Sequence, residues 1–564
     1  METFARLIFA RKRPLALRAL AVTLLFTALL APWGAASADS PASAGEAIYR
    51  RGIVGSGAPL EARRSGGMRT LGAAAACVNC HRRSGFGGKE GRSIIPPITG
   101  RYLFRPRPTE GNDREIPFVP GMRGDREPYT DATLARAIRA GLDSEGKPLS
   151  YLMPRFALND ADMAALIGYL KRLDQRRVPG VTDTVLHFAT IVTPDADPVK
   201  RRGMLDVIEQ FFADRNARQM GPAPRMRASS RTAFSKTMFM VHRQWQLHVW
   251  ELTGAESTWQ EQLERRLARE PVLAVVSGLG GRNWAPVHAF CERAALPCLF
   301  PNVEVPVDSE RDFYPLYFSK GVLLEAELIA SALLDASRGA MPRTVRQLYR
   351  AGDSGEAGAL ALAAALKPHA ITVSSQVLPR GAPGEGLAEA LRGSETVDAL
   401  VLWLRPADVA TLGTAPPAAP AAVFMSGLMG GLERTPLPPS WRSRTRLAYP
   451  FDLPERRRVR VDFALGWFRI RQVAVVAEQV QADTYLACGL LSETLNHMVD
   501  TFVRDYLVER FEDMLERRVV TGYYPRLALA TGQRFASKGG YIVRLPEAKG
   551  ARLIVDRDWF VPGS

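Results

Sequence analysis

From residue 184 onward the chain alternates short, strongly apolar runs with longer amphipathic ones, and this alternation limits the fold more than any other feature. "TVLHFATIV", "WQLHVWEL", "PVLAVVSG" and "PCLFP" read as buried strands, with "DPVKRRGMLDVIEQFFADRN", "STWQEQLERRLARE" and "NWAPVHAFCERAAL" as helices between them. Strands separated by helices do not form hairpins; they lie parallel in a sheet whose two faces the helices cover. The rhythm starts again with "TVRQLYR", "AGALALAAALKP", "ITVSSQVL", "LAEALRG" and "DALVLWLRP", which predicts a second α/β lobe.

With 564 residues, 46% of them hydrophobic and 23% charged, two or three domains are expected. Arg6, Arg11, Lys12, Arg13 and Arg18 flank or precede the run "ALAVTLLFTALLA", and "AASADS" places small residues at Ala36 and Ala38. That layout predicts an export signal peptide over residues 1–38, cleaved after Ala38, because the apolar core is short for a hydrocarbon layer of about 30 Å. No later run is apolar enough to span a bilayer, so the mature protein is expected in the periplasm with no membrane span. Five basic residues and Glu2 leave with the signal, taking the formal charge from +16 to +12. Half of that excess lies in residues 39–174, where 21 basic residues face 15 acidic ones, and a basic face suits an acidic partner protein. The sequence lacks an aromatic-interleaved basic stripe and zinc-finger spacing, which argues against nucleic acid.

The five cysteines are Cys77, Cys80, Cys291, Cys298 and Cys488. "CVNCH", residues 77–81, has no second ligand pair nearby for zinc. In an exported chain, C-x-x-C-H reads as covalent attachment of one haem c, with His81 as the proximal iron ligand. A second axial ligand is expected in "GKPLSYLMPRFALNDADMAALIGYLKRL". Met163, Leu166, Ile167 and Leu170 repeat with helical spacing behind a cap at Asn159, so Met163 belongs to a core face. Met153, in the loop before Pro154, fits no helix pattern and is the expected distal ligand, with Met68 and Met122 as weaker alternatives.

Residues 42–175 resemble the class I c-type cytochromes: "AGEAIYRRG" looks like their first helix, "YTDATLARAIRAGLD" like the middle one, and the Met153 loop and its helix like the closing one. The resemblance implies an all-α domain in which Pro96 or Pro97 orients His81, with 101–128 as an insertion. A linker over 176–183 follows. Residues 184–564 resemble the type I periplasmic binding proteins of the branched-chain amino-acid-binding family, through "RGMLDVIEQFFADRN", "AVVSGLGGRNWAPVHAFCERAALPCLFPN", "YPLYFSKGVLLEAELIASALL" and "ACGLLSETLNHM". That resemblance implies two α/β lobes around a solute cleft, and by position its ligand contacts are Ser277, Gly278, Gly281, Tyr317 and Ser319; equally, the glycines serve only a tight turn. The acidic residue that would hold an amino-acid ammonium group is not placed, so the ligand class stays open.

Cys291 and Cys298 bracket a helix end and the next strand, and either close a disulfide or stand as two buried thiols; Cys488 lies in an apolar helix as a core thiol. The sequence shows no H-E-x-x-H, nucleophile elbow, Walker loop or dinucleotide fingerprint, so no catalytic residues are expected. The favoured function is a periplasmic haem c electron carrier, not an enzyme, with a receptor-like module that senses a small solute or docks a redox partner. The alternatives are a solute receptor of an ABC transporter with an accessory haem, and the cytochrome subunit of a periplasmic dehydrogenase.

Overall fold

Apolar strands separated by helices leave little choice of pairing, and the C-terminal half follows that rule with two parallel sheets. The computed structural model describes residues 41–564 except 65, 91–92, 105–125, 174–177, 220–242, 310, 336–340, 414–421, 499–500, 548–550 and 564. The expected signal over 1–38, Met122 and most of the 101–128 segment lie outside the described residues. Packing groups Met1–Cys77 with Asp131–Tyr169 as one compact unit, and Val78–Thr130 with Leu170–Ser564 as a second.

In the smaller unit the helix Pro41–Arg51 crosses the helix that starts at Asp160, and Gly45 permits the contact: a Cβ there would lie 2.2 Å from the Ala165 carbonyl oxygen. Asn159 caps the latter helix, its Oδ1 accepting from the Asp162 amide at 2.8 Å, and Met163, Leu166 and Ile167 are buried on one face. The expected all-α composition does not hold, because Glu61–Arg63 pairs antiparallel with both Arg69–Leu71 and Arg155–Phe156. Gly66 and Gly67 carry the reversal at φ +104° and +85°, a conformation that other residues rarely adopt.

The larger unit contains both lobes. Lobe one is a five-stranded parallel sheet in the order Gln244–Glu251, Val185–Val192, Ala274–Val276, Cys298–Leu299, Pro315–Leu316. Lobe two repeats that order with Thr372–Leu378, Thr344–Arg350, Ala399–Trp403, Ala422–Ser426 and Thr445–Tyr449, then adds Gly540–Arg544 and Ile554–Phe560 antiparallel. Both lobes therefore run second, first, third, fourth, fifth. The helices Glu478–Met498 and Arg504–Leu515 pack with lobe one, their buried Leu491, Leu495, Leu507 and Phe511 joining the core that holds Phe188 and Phe212.

Residues 82–86, which follow the C-x-x-C-H motif, are docked on the helix Arg504–Leu515 of the same unit. Arg82 donates to Asp513 at 2.9 Å, the Ser84 amide to the Glu509 carboxylate at 3.0 Å, and the Phe86 ring lies 4.5 Å from that of Tyr506. Arg82 itself sits at φ +61°, where it ends the single-turn helix Val78–His81.

Candidate functional site

In an open parallel sheet, the loops at the carboxyl end diverge where the strand order reverses, and the gap they leave is the natural binding crevice. Each lobe has one such point beside its first strand, and the loops that leave the two points meet. Glu304, beyond Cys298–Leu299, receives a two-pronged guanidinium contact from Arg405, beyond Ala399–Trp403, at 2.9 and 2.6 Å. Arg405 also grips Asp353 at 2.9 and 2.6 Å, the Ser354 hydroxyl donates to Glu304 at 2.8 Å, and Lys200 lies 3.2 Å from it. Arg282 of lobe one donates to the Gly352 carbonyl of lobe two at 3.3 Å. Burial pushes the Glu304 carboxyl up, but the Arg405 hydrogen bonds and charge outweigh it and hold Glu304 well below the usual carboxylate range. The crevice thus closes on an arginine that binds two carboxylates of the protein itself.

Beneath it, Glu325 on the helix Val322–Leu333 is fully buried, taking the Leu428 amide at 2.8 Å and the Ser426 hydroxyl. Burial dominates here and moves its carboxyl up to about 8.

Of the expected ligand contacts, Gly281 alone reaches the crevice through a described neighbour there. Its amide donates to Thr193 Oγ1 at 2.9 Å, and the Arg282 amide donates to Asp195 at 2.9 Å. Asp195 fills the anion position of this turn, so closely that a Cβ on Gly281 would lie 2.3 Å from its carboxyl carbon. Ser277 is in the core at φ +49°, its Oγ 2.8 Å from Thr484 Oγ1 and accepting from Asn302 at 3.0 Å. Gly278 faces the Trp284 ring, and Ser319 Oγ accepts from the Gly321 amide. Tyr317 is buried, its hydroxyl 2.7 Å from His288 Nδ1, and His288 Nε2 lies 2.6 Å from the Asp312 carboxylate. The expectation from the glycine-rich stretch did not include Glu304, Asp353 or Arg405; the signal for them is their position just past predicted strands.

Of the two alternatives for Cys291 and Cys298, the structure has two free, buried thiols. They fill a core with Trp284, Phe290, Leu296 and Tyr317, where two small apolar groups pack without a crosslink. Cys488 is a core thiol, as expected.

In the larger unit His81 is buried, and its Nδ1 lies 3.0 Å from the Pro96 carbonyl oxygen, which accepts only if Nδ1 carries the proton. Burial lowers its pKa to about 4, so the ring is neutral at ordinary pH and Nε2 carries a lone pair. Cys80 lies one residue before it, and Cys77 is the last residue of the smaller unit; neither is in a disulfide. In the smaller unit Met153 is half-buried in a turn, its amide donating to the Ser150 carbonyl at 2.9 Å. A neutral imidazole anchored through Nδ1, directly after the Cys80 thiol in the chain, suits an iron ligand. Among the described residues no cluster of three or more His, Cys, Asp or Glu is arranged for a metal ion, and no helix is long and apolar enough to cross a membrane.

No protein-family model matches the chain, and no curated protein does. Among solved structures it is similar to a fatty acid ABC transporter substrate-binding protein from Thermomonospora curvata, at 15% identity and TM-score 0.48, over 69% of this chain and 95% of that one. A leucine binding protein from Thermotoga maritima is similar at 10% identity and TM-score 0.46, over 67% and 99% of the two chains. A branched chain amino acid ABC transporter protein from Thermus thermophilus with bound valine is similar at 12% identity and TM-score 0.47, over 68% and 98%.

Proposed function

We propose that the larger unit is a receptor for a small solute that enters the crevice between the lobes, in an exported protein that also carries one haem c. The observation that carries the receptor reading is the Arg405 bridge: Arg405 and Asp353, at the strand-order reversal of lobe two, are joined across the crevice to Glu304, on the loop after the fourth strand of lobe one. Arg405 between Glu304 and Asp353 suits a zwitterion or a carboxylate, whose charges exchange with those already paired. Thermal-shift titration against amino acids and small carboxylic acids tests this. A member of the panel is expected to raise the melting temperature of the wild type and to lose that effect in Arg405→Ala; a panel with no stabilising member removes the reading.

The second reading, that the protein is an electron carrier rather than a catalyst, is favoured by the His81 ring. Its Nδ1 is anchored on the Pro96 carbonyl, so Nε2 would be the iron ligand; Cys77 and Cys80 would hold the haem through thioethers, and the Met153 sulfur would be the second iron ligand. Haem held there supplies one-electron transfer, with a periplasmic redox protein as partner. Acid-acetone extraction of protein made in a host with cytochrome c maturation tests it. Haem is expected to stay with the chain; extraction of the haem overturns the assignment, and Met153→Ala is expected to lower the reduction potential where Met122→Ala does not.

A further inference from the structure

We infer that the helix Pro454–Arg471 is the contact face of a two-fold dimer of this chain. That helix has two apolar faces. One, with Val461, Ala464 and Phe468, is buried in the core. The other is open: Val459 is 68% exposed, Phe463 57% and Ile470 75%, and a Cβ built on Gly466 meets nothing within 4 Å. At 100° per residue, positions 459, 463, 466 and 470 fall within about 60° of one another, so they form a single stripe.

The stripe is symmetric about the point between Ala464 and Leu465. Antiparallel pairing with a second copy about that point sets Phe463 against Gly466 of the partner, and Val459 against its Ile470. The largest side chain meets the gap and the two middle-sized ones meet each other, twice over. Charge agrees with this register. Asp462 and Arg469 lie on the same flank of the stripe, and two-fold pairing brings Asp462 of one copy to within about 3 Å, along the axis, of Arg469 of the other. Asp462 is otherwise held only by Arg458 at 3.9 Å, and Arg469 has no ion pair among the described residues. On the opposite flank Arg456, Arg460 and Arg471 are paired with Asp558, Asp452 and Asp214; on the Asp462 flank Arg458 lies equally far along the axis from the partner's Arg469, but it sits farther round the helix from the stripe than Asp462 and is itself paired with Asp462.

Sedimentation velocity over a concentration series tests the pairing in the full chain. The wild type is expected to dimerise, and Phe463→Glu to raise the dissociation constant by at least ~10-fold with an unchanged melting temperature at dilutions where the wild type is monomeric, since the side chain is then exposed. Asp462→Arg and Arg469→Asp are each expected to weaken the dimer and, when combined, to restore it. A wild type that stays monomeric at every concentration overturns the inference, as does a dimer that survives Phe463→Glu. A double charge reversal no better than its parents overturns it too, because the register then differs.

Discussion

Replacing Glu325 by glutamine is expected to flatten the pH dependence of stability. In the folded protein this carboxyl keeps its proton up to about pH 8, against an ordinary value of 4.5, so between those limits the folded state binds more protons than the unfolded one. Stability is then fully present below about 4.5 and is lost as pH rises toward 8. The slope is about 1.4 kcal/mol per pH unit, or about 2.7 kcal/mol between pH 5 and pH 7. Glutamine keeps the contacts of the protonated acid: its carbonyl accepts from the Leu428 amide, and its amide group faces the Ser426 hydroxyl. It carries no proton to lose. Glu509 and Asp483, pushed by burial up to about 8 and about 7, give their own slopes to both proteins and cancel in the difference. Urea unfolding of the pair at pH 5, 6 and 7 measures that difference directly. Parallel profiles, with the wild type no weaker against the variant at pH 7 than at pH 5, would refute the reasoning.

Arg405→Ala leaves Glu304 and Asp353 facing each other across the crevice with Lys200 as the remaining cation. A cost of about 1–3 kcal/mol is expected, below that of a fully buried pair because Arg405 and Glu304 are 33% and 26% exposed, together with a larger radius of gyration by small-angle scattering. Arg82→Ala removes the contact with Asp513 and the charge beside Glu512, and faster limited proteolysis near the C-x-x-C-H motif is expected. Asn159→Ala removes a helix cap and is expected to lower stability by about 1 kcal/mol in chemical denaturation.

Periodicity made the strands and helices of both lobes legible, because a buried strand such as Val185–Val192 and an amphipathic helix such as Trp259–Arg269 announce themselves in hydrophobic spacing. The cap at Asn159 was legible for a local reason, because the contact spans three residues, whereas the proline carbonyl beside His81, fifteen residues on, was expected only from the resemblance to c-type cytochromes. The antiparallel closing strands of lobe two were not, since Tyr449 meets Tyr541 across 92 positions, and nothing local marks a strand as the end of another sheet. The crevice was read from its glycines, which turned out to make room for Trp284 and Asp195. Its ionic bridge joins Glu304 to Arg405, a pairing that only the meeting of two lobes creates. The hairpin around Gly66 and Gly67 had a signal in its two glycines, outweighed by the helical pattern on either side.

The closing strands of lobe two also bear on how this chain reaches its folded state. The edge of Thr445–Tyr449 is paired by Gly540–Arg544, and the intervening residues include two long helices that pack with the other lobe. Neither lobe is complete until nearly the whole polypeptide has been made, so folding must wait for contacts of large sequence separation and should be slow. While it waits, Thr445–Tyr449 is a bare apolar strand edge, open to pairing with another chain. A chain truncated after residue 538 would keep that edge permanently, and aggregation rather than a trimmed, folded protein is the expected product.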